Sequence, residues 1–436
     1  MENLVFNALF ILIFITTSCH GDQKVLLFLL DGLRHDYPIG EQAGFKNIID
    51  QGVKAKTFKP VFPSLSFTNY YSIATGLYPE SHGVIHNYFY DPTEDAEFLI
   101  GSKESDFAPF WWKDGEPVWI SAEKAGKKAV MYYWPGCEAM IQNRLPSICE
   151  KYVTAPSLED FSDAIDEALK ELAGGAEFAA IYYEYVDKNG HLNGVGSPSV
   201  LEHISNISSQ FQRMSSEMES TFMADGLTRL SDVTNVIAVS DHGMSSSGPG
   251  QRIVLGDFID QYNLERSLPS NTSDPVVQLW PVEGQMDSIF EILSNIDGLT
   301  AYKKSDLLDR WHFKNNDRVA PITVVADNHY ALLPPTYDGN PSLYGWYNGM
   351  HGYDNDLPEM GGIFLAAGPA FKSGIEIDEL KSIDVYQVMC SILGVPEAPN
   401  NGTWENVSDL LNTNAAVKVQ YALTLFIMLS LAFLFQ

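Results

Sequence analysis

The sequence predicts an α/β protein with a mostly parallel central sheet flanked by helices. Short apolar runs recur along the chain, at residues 25–30, 129–133, 179–185, 236–240 and 363–367. Runs this short and this rich in Val, Ile and Tyr are typical of strands that are buried on both faces. Helical patterns lie between them, and this alternation favours a parallel sheet whose ligand site is at the carboxyl ends of its strands.

The helices are predicted from apolar residues at helical spacing. The two clearest patterns are Phe161, Ile165, Leu169 and Leu172, and then Val200, Ile204, Ile207, Phe211 and Met214. From residue 245 to 344 the pattern is less regular, with prolines and scattered aromatic residues. We therefore expect one folded domain over residues 22–411, with a smaller subdomain inserted at roughly 245–344.

Apolar segments lie at both ends of the chain. Residues 4–17 are followed by the small-residue stretch Ser18–Gly21, which predicts a signal peptide over residues 1–21. Residues 421–436 are apolar with no charge after them, which is typical of a GPI-attachment signal at 412–436. Asn412 is the expected attachment site and Asn414 the alternative; a plain tail anchor is the other interpretation. These segments predict a protein on the extracellular face of the plasma membrane.

The cysteines and glycosylation sequons agree with a secreted protein. Cys137 and Cys149 close a short loop that a disulfide would fix. Cys19 leaves with the signal peptide or lies at its cleavage site, and Cys390 stays unpaired in an apolar stretch. The expected glycosylation sites are Asn206, Asn271, Asn401 and Asn406.

The composition and net charge of the chain indicate which kinds of fold and binding partner are compatible with it. The 436 residues are 45% hydrophobic, which allows a sizeable core and excludes a disordered chain. Lys and Arg total 27 against 56 Asp and Glu, for a formal charge of −29. This field would repel a nucleic acid bound through its phosphates and would favour a cationic ligand group. A homodimer stays open, because the sequence does not give the oligomeric state.

Carboxylates and imidazoles cluster where the predicted strands end. They are Asp31, Asp187, His191, Asp241, His242 and His351. Parallel strands bring such positions to one edge of a sheet, and mixed carboxylate and imidazole ligands suit zinc. The sequence therefore predicts a metal centre at this edge.

Ser66 is the candidate nucleophile. It lies near the start of a predicted helix over residues 69–74, where exposed amides and the helix dipole favour an alkoxide and a phosphate. Coordination to a metal would lower the pKa of its hydroxyl, so no histidine base is needed. Ser64 is a rival by spacing alone. A Ser-His-Asp hydrolase is disfavoured, because neither serine lies in a G-x-S-x-G motif.

Five motifs in order carry a family resemblance: LLDGLRHDY, FPSLSFTNYYSIATGLYPESHGV, YYEYVDKNGH, VSDHGM and HGYDN. Over about residues 24–404 the chain resembles the ecto-nucleotide pyrophosphatase/phosphodiesterase family of the alkaline-phosphatase superfamily. The resemblance implies an alkaline-phosphatase-like fold and a two-zinc phosphodiesterase. It selects Ser66 over Ser64, because the aromatic Phe67 follows Ser66. Thr68 stands where the family usually has proline, which predicts a less rigid start of the helix.

The resemblance also implies a division of the ligands between two zinc ions. One ion would be held by Asp31, Ser66, Asp241 and His242, and the other by Asp187, His191 and His351. The side chain of Asn87 and the backbone N–H of Phe67 are the expected donors to the non-bridging phosphate oxygen.

Within the family, the chain looks most like the choline-specific glycerophosphodiester phosphodiesterases. Its serine nucleophile, its WPGC segment and its C-terminal anchor signal carry this likeness. The implied reaction releases phosphocholine from glycerophosphocholine or lysophosphatidylcholine through a phospho-seryl intermediate. The faces of Phe67 and Tyr182 would then bind the quaternary ammonium. The alternatives are a nucleotide pyrophosphatase/phosphodiesterase, in which Phe67 contacts a base, and an inactive surface binding protein.

Overall fold

The computed structural model describes residues 23–102, 105, 107–248, 250–270, 272–335 and 347–412. The predicted signal peptide, the sequon residue Asn271, Asn414 and the apolar segment 421–436 lie outside the described residues. Among the residues described, none of the helices combines the length and the apolar character that crossing a membrane requires.

A large sheet occupies the centre of the structure. The strands, numbered in chain order, are β1 (Lys24–Leu30), β2 (Val53–Lys59), β3 (Tyr88–Asp91), β4 (Ala96–Leu99), β5 (Ala129–Tyr132), β6 (Ile148–Glu150), β7 (Phe178–Tyr183), β8 (Thr234–Val239), β9 (Ser245–Ser246), β10 (Arg252–Val254), β11 (Leu264–Leu268), β12 (Val276–Pro281), β13 (Leu299–Lys303), β14 (Ile322–Ala326), β15 (Ala331–Leu333), β16 (Gly349–Met350), β17 (Gly362–Ala367) and β18 (Ile375–Lys381). The eight-stranded sheet has the order β18-β2-β17-β8-β1-β7-β5-β6. Its neighbouring strands are parallel except where β17 pairs with β2 and β8. The predicted mostly parallel sheet is confirmed.

Helices cover both faces of this sheet. They are α1 (Ala43–Gln51), α2 (Ser66–Thr75), α3 (Pro79–His82), α4 (Pro109–Trp112), α5 (Val118–Lys124), α6 (Leu158–Ala173), α7 (Tyr185–Asn193), α8 (Pro198–Ser220), α9 (Met286–Leu293) and α10 (Val385–Leu393). Side chains of β1 alternate between two apolar clusters, because successive residues of a strand point to opposite faces. One cluster contains residues of α2, α5 and α10, and the other contains residues of α1, α6 and α8.

Local signals explain where the two predicted long helices begin. The Ser157 and Asp160 side chains form a reciprocal capping box at the start of α6. At the start of α8, the Ser197 side chain accepts from the Val200 N–H, and Pro198 occupies the first turn. The apolar stripe of α6 is buried as predicted, and each fully buried Phe, Ile or Leu side chain contributes about 1.5–3 kcal/mol.

A second, four-stranded sheet lies within the segment predicted as a subdomain. Its order is β11-β12-β14-β13, all antiparallel, and it shares an apolar cluster with α9. The cluster continues into Met350, Tyr353 and Met360, so its packing extends beyond residue 344. The buried Arg318 ties this region to the segment after α3, since it donates to Asp91 Oδ2 at 2.8 Å and to the Gly83 carbonyl at 2.7 Å. The boundaries 245–344 stay a prediction.

The disulfide predicted between Cys137 and Cys149 is present, and Cys390 is a buried free thiol. Asn401 and Asn406 are exposed, whereas Asn206 is half-buried within α8. Asn412 is exposed, although its side-chain amide donates to the Pro369 and Phe371 carbonyls. Glycosylation and anchor attachment stay predictions.

Candidate active site

Three carboxylates meet at the carboxyl ends of neighbouring strands. Asp31 follows β1 directly, Asp241 follows β8 after one residue, and Asp187 lies in the first turn of the helix α7 that follows β7. These strands are adjacent in the order β8-β1-β7, which is why their ends converge. The backbone adds two links: the Asp187 N–H donates to the Asp31 carbonyl at 3.1 Å, and the Gly32 N–H donates to Asp241 Oδ1 at 3.2 Å. All three carboxylates are buried.

Three histidines are held in one common manner. In each, ring atom Nδ1 lies against a backbone carbonyl: His191 at 2.8 Å from Gly349, His242 at 2.8 Å from Gly243 and His351 at 3.0 Å from Ser64. An Nδ1–H that donates to a carbonyl leaves Nε2 as the lone-pair atom. The three rings are therefore oriented as metal ligands through Nε2.

The potential ligand atoms form two compact groups. Asp31, Asp241 and His242 form one, and Asp187, His242 and His351 form the other, with ligand atoms within 4.8 Å of one another in each. The His242 and His351 rings stack with centroids 3.6 Å apart. His242 thus lies close to both groups, whereas the family pattern gives it to one ion. His191 lies at the edge, with Nε2 3.5 Å from Asp187 Oδ2.

The buried carboxylates are incompletely satisfied. Within the described part of the chain, Asp31 Oδ1, Asp187 Oδ1 and Asp241 Oδ2 have no hydrogen-bond partner, although each is buried. Buried oxygens of this kind are costly unless a cation or donor compensates them. The donor set of carboxylate oxygens and imidazole nitrogens therefore fits bound zinc, as the sequence predicts.

The pKa shifts of Asp31, Asp187 and His351 agree with a metal site, whereas the pKa of His242 is raised, because the charges of Asp241 and Asp187 outweigh its burial. Burial, together with the charges of Asp241 and Asp187, raises the pKa of the Asp31 carboxyl well above its usual range. Burial also raises the pKa of Asp187. Burial and the neighbouring imidazoles hold the pKa of His351 well below its usual range, which keeps that ring neutral as a metal ligand requires. The negative charge concentrated here is what a dication would neutralise.

Ser66 is the first residue of α2, so the helix begins three residues earlier than the sequence predicts. Its Oγ lies 3.1 Å from His242 Nε2, beside both ligand groups. The start of the helix is supported by Asn69, whose side chain accepts from the Val61 N–H and donates to the Leu65 and Pro63 carbonyls. These hydrogen bonds connect the first turn of α2, which contains Thr68, to the segment before the helix. The less rigid start predicted from Thr68 stays a prediction.

The rival serine has a different environment. Ser64 is fully buried and its Oγ donates to the Tyr353 carbonyl at 3.0 Å. Its own carbonyl is the partner of His351 Nδ1. Ser64 therefore supports a ligand through its backbone, while its hydroxyl is engaged elsewhere.

One of the two expected phosphate donors is already engaged. The Phe67 backbone N–H donates to Asn87 Oδ1 at 3.0 Å, so the predicted role of that N–H as a free donor needs correction. With Oδ1 accepting, Asn87 keeps its amide N–H groups as donors. The hydrogen bond orients Asn87 next to the nucleophile.

The prediction that Phe67 and Tyr182 present aromatic faces to choline is also corrected. Both residues belong to the apolar core, and each is only 1% exposed. Phe67 packs against Phe98, at 5.7 Å between centroids, and Tyr182 donates its hydroxyl to Asp31 Oδ2 at 2.7 Å. The sequence places both residues near the site, but it does not tell which side of each ring is covered.

No specific role is predicted from the sequence for three residues around the site. Tyr70, one helical turn after Ser66, donates its hydroxyl to Asp31 Oδ2, and this i, i+4 spacing was the available signal. Tyr152 is half-buried and contacts the Phe67 ring edge-on at 5.8 Å. Glu184 accepts from the Ala155 N–H at 2.7 Å, and burial raises its pKa to about 7. Tyr152 and Glu184 carry no local sequence signal.

Comparisons with known proteins agree with this site. Residues 25–354 match the family model described as type I phosphodiesterase / nucleotide pyrophosphatase. Human ectonucleotide pyrophosphatase/phosphodiesterase family member 5 is 33% identical over 93% of this chain and 82% of its own length. A bis(5′-adenosyl)-triphosphatase of Xenopus laevis is 31% identical over 96% of this chain and 90% of its own.

Solved structures give the same result. The structure of the human member 5 protein has a TM-score of 0.81 at 32% identity, and the match covers 90% of this chain and all of that one. An inactive variant of the murine protein, in complex with AMP, has a TM-score of 0.80 at 31% identity and covers 89% of this chain. The chain therefore belongs to the type I phosphodiesterase / nucleotide pyrophosphatase family.

Proposed function

We propose that the chain is a zinc-dependent nucleotide pyrophosphatase/phosphodiesterase with Ser66 as its nucleophile. The observation that carries this proposal is the position of Ser66 Oγ, at the first residue of α2 and 3.1 Å from His242 Nε2. His242 belongs to both groups of potential metal ligands, the one with Asp31 and Asp241 and the one with Asp187 and His351. A hydroxyl at a helix N-terminus beside such groups is suited to attack phosphorus.

The reaction would take two displacements. Ser66 Oγ gives up its proton and bonds to phosphorus while the bond to the leaving-group oxygen breaks. The leaving group departs, and Ser66 then carries the nucleotidyl group as a phosphodiester. Water then cleaves that ester and restores Ser66. Zinc bound by the carboxylates and imidazoles would supply charge stabilisation for the entering and leaving oxygens. The Asn87 amide, oriented by Phe67, would donate to a non-bridging oxygen, a role worth about 3–4 kcal/mol.

A nucleotide substrate has more support than a choline substrate. The similar proteins carry nucleotide activities in their names, and the murine structure holds AMP. In this chain, the faces expected to bind choline belong to Phe67 and Tyr182, which are buried. Tyr152 is half-buried beside Phe67 and offers an aromatic surface for a base. Zinc and the helix N-terminus would attract phosphate locally despite the formal charge of −29.

The predicted extracellular location is supported by the name of the human relative, an ectonucleotide pyrophosphatase/phosphodiesterase. The GPI anchor and a homodimer stay predictions. An inactive surface binding protein stays the remaining alternative, and it would show no turnover in the assay that follows.

The test compares two chromogenic diesters, the p-nitrophenyl esters of thymidine monophosphate and of phosphocholine. We expect kcat/KM to be higher for the thymidine ester by about tenfold or more, equivalent to about 1.4 kcal/mol. Equal rates, or a preference for phosphocholine, would contradict the nucleotide proposal and restore the choline prediction. No turnover of either ester would favour the binding protein.

A variant sharpens this test. Tyr152→Ala should lower kcat/KM for the thymidine ester by about fivefold to tenfold, and it should leave a p-nitrophenyl phenylphosphonate, which has no base, unchanged. Tyr262→Ala is the matched control. Tyr262 is 82% exposed and lies in the short turn Gln261–Asn263 directly before β11. Equal losses on both substrates would mean that Tyr152 does not contact the base.

A further inference from the structure

Two buried tyrosine hydroxyls converge on one oxygen of Asp31. Tyr182, on β7, donates to Asp31 Oδ2 at 2.7 Å, and Tyr70, on α2, donates to the same oxygen. The two hydroxyl oxygens lie 2.9 Å apart, and the rings pack edge-on with centroids 5.3 Å apart. Both tyrosines are at most 2% exposed, so the arrangement is enclosed by protein.

The second carboxylate oxygen of Asp31, Oδ1, accepts no hydrogen bond from the two tyrosines. Asp31 Oδ1 is buried, and no hydrogen bond to it is found within the described residues. It lies 3.4 Å from His242 Nε2, in the group that also contains Asp241. Donors that saturate one carboxylate oxygen also fix the rotation of the carboxylate, and so they aim the second oxygen.

We propose that Tyr70 and Tyr182 are positioning residues that hold the Asp31 carboxylate for the metal ion of the group formed by Asp31, Asp241 and His242. This inference rests on the proposed function, because it requires zinc at the site. Within the described residues, no hydrogen bond joins either tyrosine hydroxyl to Ser66, and the acceptor that the two hydroxyls share is Asp31 Oδ2. We therefore expect both tyrosines to act through Asp31.

A purely structural role would place these hydroxyls differently. Tyr71, the next residue of α2, is equally buried, and its hydroxyl donates to the backbone carbonyls of Trp112 and Gly115. The hydroxyl of this core tyrosine thus donates to uncharged backbone carbonyls. Tyr70 and Tyr182 come from different elements and share one anionic acceptor, and hydrogen bonds to a charged acceptor are the stronger kind.

The test is a zinc titration of metal-free full-length protein against a chromophoric chelator. Wild type should bind two ions, as the two ligand groups predict. Tyr70→Phe and Tyr182→Phe should each weaken one of the two binding steps by about 10–100-fold, the usual effect of losing a partner of a metal ligand. Tyr71→Phe, the matched control, should bind both ions as wild type does.

A second readout separates positioning from packing. A packing role lowers the unfolding temperature of the metal-free and the zinc-loaded protein equally, whereas a positioning role shrinks the rise in Tm that zinc produces. Wild-type zinc affinity in both Phe variants, an equal loss in Tyr71→Phe, or failure of both Phe variants to fold without zinc would overturn the inference. A wild-type protein that binds no zinc would overturn it too. Because no substrate is used, unchanged zinc affinity in the Phe variants would overturn the inference and leave the proposed function standing, whereas a wild-type protein that binds no zinc would overturn both.

Discussion

Replacing Ser66 with alanine is expected to abolish hydrolysis of the thymidine ester, with a fall in kcat/KM of about a thousandfold or more. The variant loses the atom that attacks phosphorus, but the three carboxylates and three imidazoles of the site remain. Zinc content and the unfolding temperature should therefore stay close to those of wild type. Steady-state kinetics, metal analysis and thermal unfolding on one preparation check the three parts.

Ser64→Ala is the matched control for this prediction. It removes the hydrogen bond from Ser64 Oγ to the Tyr353 carbonyl, but it keeps the Ser64 carbonyl that orients His351. We expect kcat/KM to stay within about tenfold of wild type, since one neutral hydrogen bond is worth about 1 kcal/mol. The opposite ranking of the two variants would show that the nucleophile is misassigned.

The second large effect is expected at Asp187. Its carboxylate lies between two imidazoles, with Oδ1 3.5 Å from His351 Nε2 and Oδ2 3.5 Å from His191 Nε2. Asp187→Asn keeps the size of the side chain and removes its charge. Bound zinc should fall from two ions per chain towards one, and kcat/KM should fall by about a hundredfold or more, because a lost ion forfeits several kcal/mol of charge stabilisation.

Asp384→Asn controls for the loss of a buried carboxylate as such. Asp384 is 1% exposed and accepts from the Thr403 N–H at 2.8 Å and the Asn406 side chain at 2.9 Å. This variant should keep its full zinc content even where its stability falls. Full zinc occupancy in Asp187→Asn would refute the metal assignment.

The strands and helices that carry a periodic apolar pattern in the sequence were predictable. The apolar run at 25–30 predicts β1, and the acidic residue after it marks the edge of the sheet where ligands bind. Asp31 and Asp241 follow from this rule alone. His351 is predicted together with the strand-end residues, but it comes after a short two-stranded pair rather than after a strand of the main sheet, so the strand-end rule does not explain its position.

What could not be predicted depends on contacts between distant segments. The period of β7 shows that Tyr182 shares a face with Ala180, but only the fold places its hydroxyl on Asp31. The Phe67 N–H looks free at a helix N-terminus, yet Asn87, from a later segment, accepts its proton. Tyr152 reaches the site from the segment between β6 and α6, where the sequence shows no periodicity.

The stereochemical course at phosphorus tests the central claim most directly. The substrate is one diastereomer of the p-nitrophenyl ester of thymidine 5′-phosphorothioate, hydrolysed in isotopically labelled water. Each in-line displacement inverts phosphorus, so attack by Ser66 followed by attack of water predicts retention of configuration overall. Inversion would mean that water attacks the substrate directly, and it would contradict a covalent intermediate on Ser66.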